Sequence, residues 1–169
     1  MTAAAARPKP DHMPTKRHPN LVHPDKDLRY HFAQSQSRKL IIFLESQTFE
    51  YLEDGRILAS GEVTSGAAQH PTPTGNFRVL SKDANKRSGS YTNYFDRPTP
   101  MPYSLQFYGP YFIHEGYMPG HRDSHGCVRL HYEDARLLFN RMKIGDSIVV
   151  KNSGSARSSK PFSNLFPVF

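Results

Sequence analysis

The chain has no tryptophan, one cysteine (Cys127) and no long apolar run among its 169 residues. A single cysteine excludes an internal disulfide framework, so packing and hydrogen bonds must hold the fold. No stretch approaches the roughly 18 consecutive apolar residues that mark a membrane-spanning helix, so no integral membrane segment is expected. The opening residues, Met1 to Pro8, lack the apolar segment of a secretory leader. Acidic residues are few, 15 against 22 Lys and Arg, for a net charge of +7. That balance favours anionic partners. No basic helix and no basic–aromatic strand pattern accompanies it, so nucleic acid is not an expected partner. There is no glycine-rich phosphate loop and no internal repeat.

What is present suits one domain with tails. Hydrophobic residues make up 37% and aromatics 12%, enough for a core without metal or disulfides. Residues 1–36, rich in Pro, His, Lys and Asp, read as a flexible arm or linker. Order is expected over 37–151, followed by a tail over 152–169. Lys39 to Leu44 and Thr48 to Glu53 read as strands, and Asp54-Gly55 then turns the chain into a return strand from Arg56 to Val63. Further strands are expected at 76–80, 104–107, 111–114 and 146–150. Residues 81–103 read as a long loop of the lid or binding kind, kept extended at its exit by Pro98, Pro100 and Pro102. Ala135, Leu138, Phe139 and Met142 fall on one helical face, with Glu133 and Asp134 in the first turn and Gly145 as the stop. The sum is a mainly β protein of about seven strands, largely antiparallel, with one helix against the sheet.

The chemistry concentrates between His114 and Arg129. Cys127 follows Gly126 and lies near His114, His121 and His125. An imidazole beside a thiol can hold it as thiolate, the nucleophilic form. His114 ends a strand and can approach across the fold, so it ranks first as the base, ahead of His125 and then His121. Gly126 permits an unusual φ and close approach of a substrate, and the N–H groups of Gly126 and Cys127 are the natural oxyanion donors. The spacing of these His and Cys residues matches no common zinc pattern, so no metal or other cofactor is expected.

The run Ile113-His114-Glu115-Gly116 followed by Ser124-His125-Gly126-Cys127-Val128-Arg129-Leu130 resembles the signature of the L,D-transpeptidase catalytic domain of the YkuD family. Gln47 to Val63 is similar to that family's early hairpin. Ser65-Gly66 and Thr72 to Val79 resemble its SG and TPxGxFxV segment, and Met101 to Phe107 its acyl-donor flank. The resemblance implies a β-sandwich-like fold with one α-helix from the C-terminal half packed on the sheet. It implies Cys127 as nucleophile and His114 as base, with His114 oriented through Glu115 by either its carbonyl or its carboxylate. Ser124 and His125 would shape the Cys127 turn, Tyr103 and Met101 would wall the pocket, and Arg129 would support the cleft or meet a substrate carboxylate. The implied partners are peptidoglycan stem peptides as donor and acceptor, handled by a monomer. The implied location is the periplasm or cell-wall space, with the leader outside this chain. L,D-carboxypeptidase action, D-amino-acid exchange and protein attachment to peptidoglycan would use the same residues, and carbapenems would acylate Cys127.

Overall fold

Leu40 and Ile42 point inward from the first strand and are fully buried, while Lys39 between strand ends faces solvent. The same period-two alternation recurs over 75–78, 81–88 and 147–151. The computed structural model describes residues 37–92 and 96–157. The predicted arm over 1–36 and the tail beyond 157 lie outside the described residues.

Among the described residues there are nine strands and one helix. In chain order they are β1 (Arg38–Phe43), β2 (Thr48–Glu53), β3 (Arg56–Glu62), β4 (Gly75–Arg78), β5 (Ser81–Thr92), β6 (Pro98–Tyr108), β7 (Tyr111–Glu115), β8 (Val128–Leu130), α1 (Tyr132–Arg141) and β9 (Ser147–Lys151). They form a five-stranded sheet of order β3-β2-β1-β9-β4 and a four-stranded sheet of order β5-β6-β7-β8. The β1–β9 and β7–β8 pairs are parallel, and the other pairs are antiparallel. The expected Asp54-Gly55 turn joins β2 to β3 with φ of 47° and 79°. Positive φ at both central residues is the geometry that matches strand twist in a two-residue hairpin.

The stretch 81–103 departs from expectation. It is not a loop but most of a long hairpin, with β5 paired to β6 from Ser81↔Gln106 to Thr92↔Pro98. Lys, Asp, Asn, Gly and Ser have low strand propensity, so pairing rather than intrinsic preference makes this segment extended. The three prolines are two residues apart, which puts their missing donors along one edge of β6. All three lie in the part of β6 that pairs with β5 alone, before pairing with β7 begins at Leu105.

The core gathers Phe49, Tyr51, Leu105, Phe107, Ile113, Leu130, Leu138 and Ile148 from both sheets and the helix. Ala135 and Leu138 are the buried residues of α1, and Met142 just beyond it is also buried. The helix stops before Gly145, because Met142 turns extended (φ −75°, ψ 144°). Lys82 Nζ donates to the carbonyls of Phe139 at 2.5 Å and Met142 at 2.7 Å, satisfying two C-terminal acceptors. The first tail residues also fold back. Arg157 meets Glu50, whose carboxylate is almost fully covered, at 3.1 Å, and the Ala156 N–H donates to Thr48 Oγ1 at 3.0 Å.

One buried ion pair ties α1 to the other sheet. Arg141 Nε donates to Glu53 Oε1 at 2.7 Å and Nη2 to Oε2 at 2.5 Å, while the Tyr51 hydroxyl donates to Oε1 at 2.7 Å. Glu53 is only 4% exposed, so its charge depends on these partners. Replacing Arg141→Met is expected to cost about 3 kcal/mol by urea unfolding, and adding Glu53→Gln is expected to recover most of it. Equal stability of the wild type and the Arg141→Met variant would contradict the tie.

Candidate active site

The parallel register of β7 and β8 sets Ile113 beside Val128 and His114 beside Arg129. Cys127, one residue before β8, therefore comes level with Phe112. The turn carrying Cys127 demands glycine before it. Gly126 has φ of +112°, and a Cβ there would lie 2.3 Å from Cε1 of the Tyr111 ring.

Hydroxyls clamp this turn. Ser124 Oγ accepts the Gly126 N–H at 3.1 Å and donates to the Cys127 carbonyl. Thr72 Oγ1 accepts the Gly66 N–H at 2.9 Å and donates to the Gly126 carbonyl at 2.9 Å. Backbone bonds fasten the flanks: Thr64 and Arg129 exchange N–H···O bonds at 3.0 and 2.8 Å, and the Ser65 carbonyl accepts from Asp123 and Ser124 at 3.1 Å. Gln47 in turn holds Ser65, accepting its N–H at 2.9 Å.

His114 is buried near the end of β7, and its Nδ1 lies 2.6 Å from the Glu115 carbonyl oxygen. A carbonyl only accepts, so Nδ1 carries the proton and Nε2 keeps its lone pair. Between the two roles left open for Glu115, the observed contact is the carbonyl. Burial pushes the imidazole down to about 4, the Glu115 hydrogen bond opposes this, and the positive Arg129 adds to the lowering. Burial also pushes the Cys127 thiol up, outweighing the Phe112 backbone hydrogen bond and the charges of Arg129 and Lys86. Both shifts favour an uncharged thiol and an uncharged imidazole at rest. The sequence suggested a thiolate; burial, which penalises both ions, favours the uncharged pair instead.

Cys127 and His114 line one cavity of about 600 Å³, shared with Ser124, His125, Arg129 and Met101. Arg129 Nη1 donates to Asp123 Oδ2 at 2.9 Å and reaches the Tyr117 carbonyl at 3.3 Å. His125 stacks on Tyr91 (centroids 4.3 Å apart) and meets His70 at 4.7 Å, so it is held among rings at the cavity wall. Two expectations fail here. Tyr103 does not line the cavity: with φ of 54° it turns its ring edge-on to Tyr132 and Phe139, each at 5.7 Å. The Gly126 N–H, one of the two expected oxyanion donors, is already bound by Ser124 Oγ. His121, the third candidate base, is exposed and outside the lining. Among the described residues no group of three His, Cys, Asp or Glu side chains comes together as a metal site.

The family model for the L,D-transpeptidase catalytic domain, YkuD, matches residues 37–150. The chain belongs to the YkuD family. Solved structures with the same fold include the Enterococcus faecium L,D-transpeptidase in a cysteine-to-serine mutant form (24% identity, TM-score 0.61, covering 69% of this chain and 50% of that one). Mycobacterium tuberculosis L,D-transpeptidase 3 aligns at 23% identity and TM-score 0.61, over 69% of this chain and 61% of that one. An L,D-transpeptidase in complex with imipenem aligns at 21% identity and TM-score 0.60, over 68% and 59%. The chain spans half to three-fifths of the length of these relatives. Comparison with curated protein sequences gives no significant match.

Within this YkuD domain, sequence reading missed several cavity residues. Lys86, Ser88 and Tyr91 reach the cavity from β5, and Tyr111 from β7. Residues 82, 84, 86 and 88 are half-buried between exposed neighbours, but as Lys, Ala, Lys and Ser they show no apolar alternation in the sequence. Thr72 sat in a recognised segment, but nothing in sequence pairs it with Gly126.

A buried neutral histidine has a consequence for stability. Its folded pKa of about 4 lies below the usual 6.5, so between these values the unfolded chain binds more protons. Stability therefore falls as pH drops from 6.5 toward 4 and levels off below. The loss attributable to His114 is roughly 3 kcal/mol. Urea unfolding at pH 7 and pH 4 is expected to show this loss in the wild type and its absence in His114→Gln; the same loss in both would contradict a neutral His114.

Proposed function

We propose that the chain is a cysteine-dependent L,D-transpeptidase acting on peptidoglycan stem peptides in the periplasm or cell-wall space. The observation that carries the reading is the opening of Cys127 and His114 onto one cavity, with the Glu115 carbonyl on Nδ1 leaving Nε2 as acceptor. Membership of the YkuD family supports it.

In this reading His114 Nε2 takes the Cys127 proton as the sulfur attacks the carbonyl at the L-centre of the donor's diamino acid. The Cys127 N–H steadies the oxyanion. The tetrahedral intermediate collapses to a thioester, the bond to the D-residue breaks, and His114 returns the proton to the leaving amine. An acceptor amine then attacks the thioester, giving its proton to His114, and the thiol is restored. Water in place of the amine would make the same site an L,D-carboxypeptidase. A carbapenem, with its strained acyl group, would acylate the same sulfur.

The test is mass spectrometry of tetrapeptide muropeptides after incubation with the protein and with Cys127→Ala. Cross-linked dimers with loss of the terminal D-residue are expected, with the variant slower on the order of a thousandfold or more. Tripeptide monomers alone would move the reading to the carboxypeptidase. Equal product from the variant would remove Cys127 as nucleophile.

A further inference from the structure

Among the described residues, the reaction cavity is lined by two cationic side chains and no carboxylate. Its lining includes Lys86 and Arg129 and, among the described residues, neither Asp nor Glu. Arg129 already has its counter-charge in Asp123. Lys86 has none: no carboxylate among the described residues pairs with it. It is half-buried on β5 and stands across from Met101 of β6, which puts both side chains on the cavity side of the hairpin. Its Nζ lies 4.6 Å from the centre of the Phe112 ring. Phe112 is level with Cys127, so the ammonium rests one ring away from the reacting sulfur. A cation on an aromatic face is partly stripped of water yet keeps N–H donors for an anion.

We propose that Lys86 is a specificity-determining residue that binds a free carboxylate of the acyl-donor peptide next to the carbonyl attacked by Cys127. The inference rests on the reading under Proposed function. A donor stem offers two such carboxylates close to the scissile bond: the terminal one on the leaving D-residue, and the side-chain one of a diamino acid that carries it. Either would complete a charge-assisted hydrogen bond in a cavity that supplies no anion of its own. Arg129, braced by Asp123, stays with the loop.

The experiment is calorimetric binding to the Cys127→Ala protein, with and without Lys86→Met. Three donor tetrapeptides are used: one with both carboxylates free, one with the terminal carboxylate amidated, and one with the side-chain carboxylate amidated. Met keeps an aliphatic stem over Phe112, and an unchanged melting temperature confirms folding. With Lys86 present, one amidation is expected to weaken binding about tenfold. With Lys86→Met the free acid should weaken by the same factor and that amidation should cost nothing more. The amide that matters identifies the carboxylate. Lys86→Arg should restore the discrimination. Equal binding of all three peptides with Lys86 present would overturn the proposal, as would an amidation cost that survives in Lys86→Met. Turnover in the Cys127 protein separates this from a field effect on the sulfur. Loss of carboxylate binding in Lys86→Met raises KM for the free acid alone, whereas loss of a field effect moves kcat for acid and amide together. A wild type that turns over none of the peptides would count against the proposed function, while the binding ratios still decide the role of Lys86.

Discussion

Strands that run the same way need a connection that crosses from one end of the pair to the other. Between β7 and β8 that connection is the loop over 116–127, and the site depends on it. The parallel register brings His114, at the end of one strand, beside the residues that follow Cys127 on the next. The loop has little apolar packing of its own, with Tyr117 76% exposed. It is fixed by polar contacts instead: Ser124 inside the turn, Thr72 and Ser65 against its flank, and Arg129 bridging to Asp123. The Thr72 and Ser65 contacts link the loop to segments distant in sequence, so the geometry of Cys127 depends on more than the loop itself.

Burial then sets the electrostatics. His114 is buried and Cys127 partly so, and that burial favours the uncharged form of each. Arg129 pulls the two in opposite senses, easing a thiolate on Cys127 while opposing an imidazolium on His114. A standing ion pair is therefore disfavoured, and proton transfer is coupled to attack, when charge moves on to the oxyanion. The Glu115 carbonyl contributes orientation rather than charge. It fixes the tautomer, so the basic nitrogen is always available.

Much of this architecture was legible in the residues. The Asp54-Gly55 hairpin follows from turn chemistry, the inward side chains of β1 from period two, and the buried face of α1 from the spacing of Ala135, Leu138 and Met142. The union of His114 and Cys127 was readable from the motif, because strand ends gather reactive groups. What was not legible depends on partners. The β5 arm has the composition of a loop and is extended only because β6 pairs with it. Tyr103 looked like a pocket wall, but a positive φ turns it toward the helix. Gly126 looked like an oxyanion donor, but Ser124 occupies its N–H. Such outcomes rest on which partners meet in three dimensions, and the sequence carries no sign of them.

The central claim is that the resting site is a neutral thiol–imidazole pair with the proton on His114 Nδ1. Nitrogen-15 NMR of histidine-labelled protein at pH 7 tests this most directly, with His114→Gln assigning the signal. The account predicts one protonated nitrogen and one bare nitrogen for His114, unchanged in Cys127→Ala. An imidazolium with both nitrogens protonated, reverting to neutral when Cys127 is replaced, would contradict it.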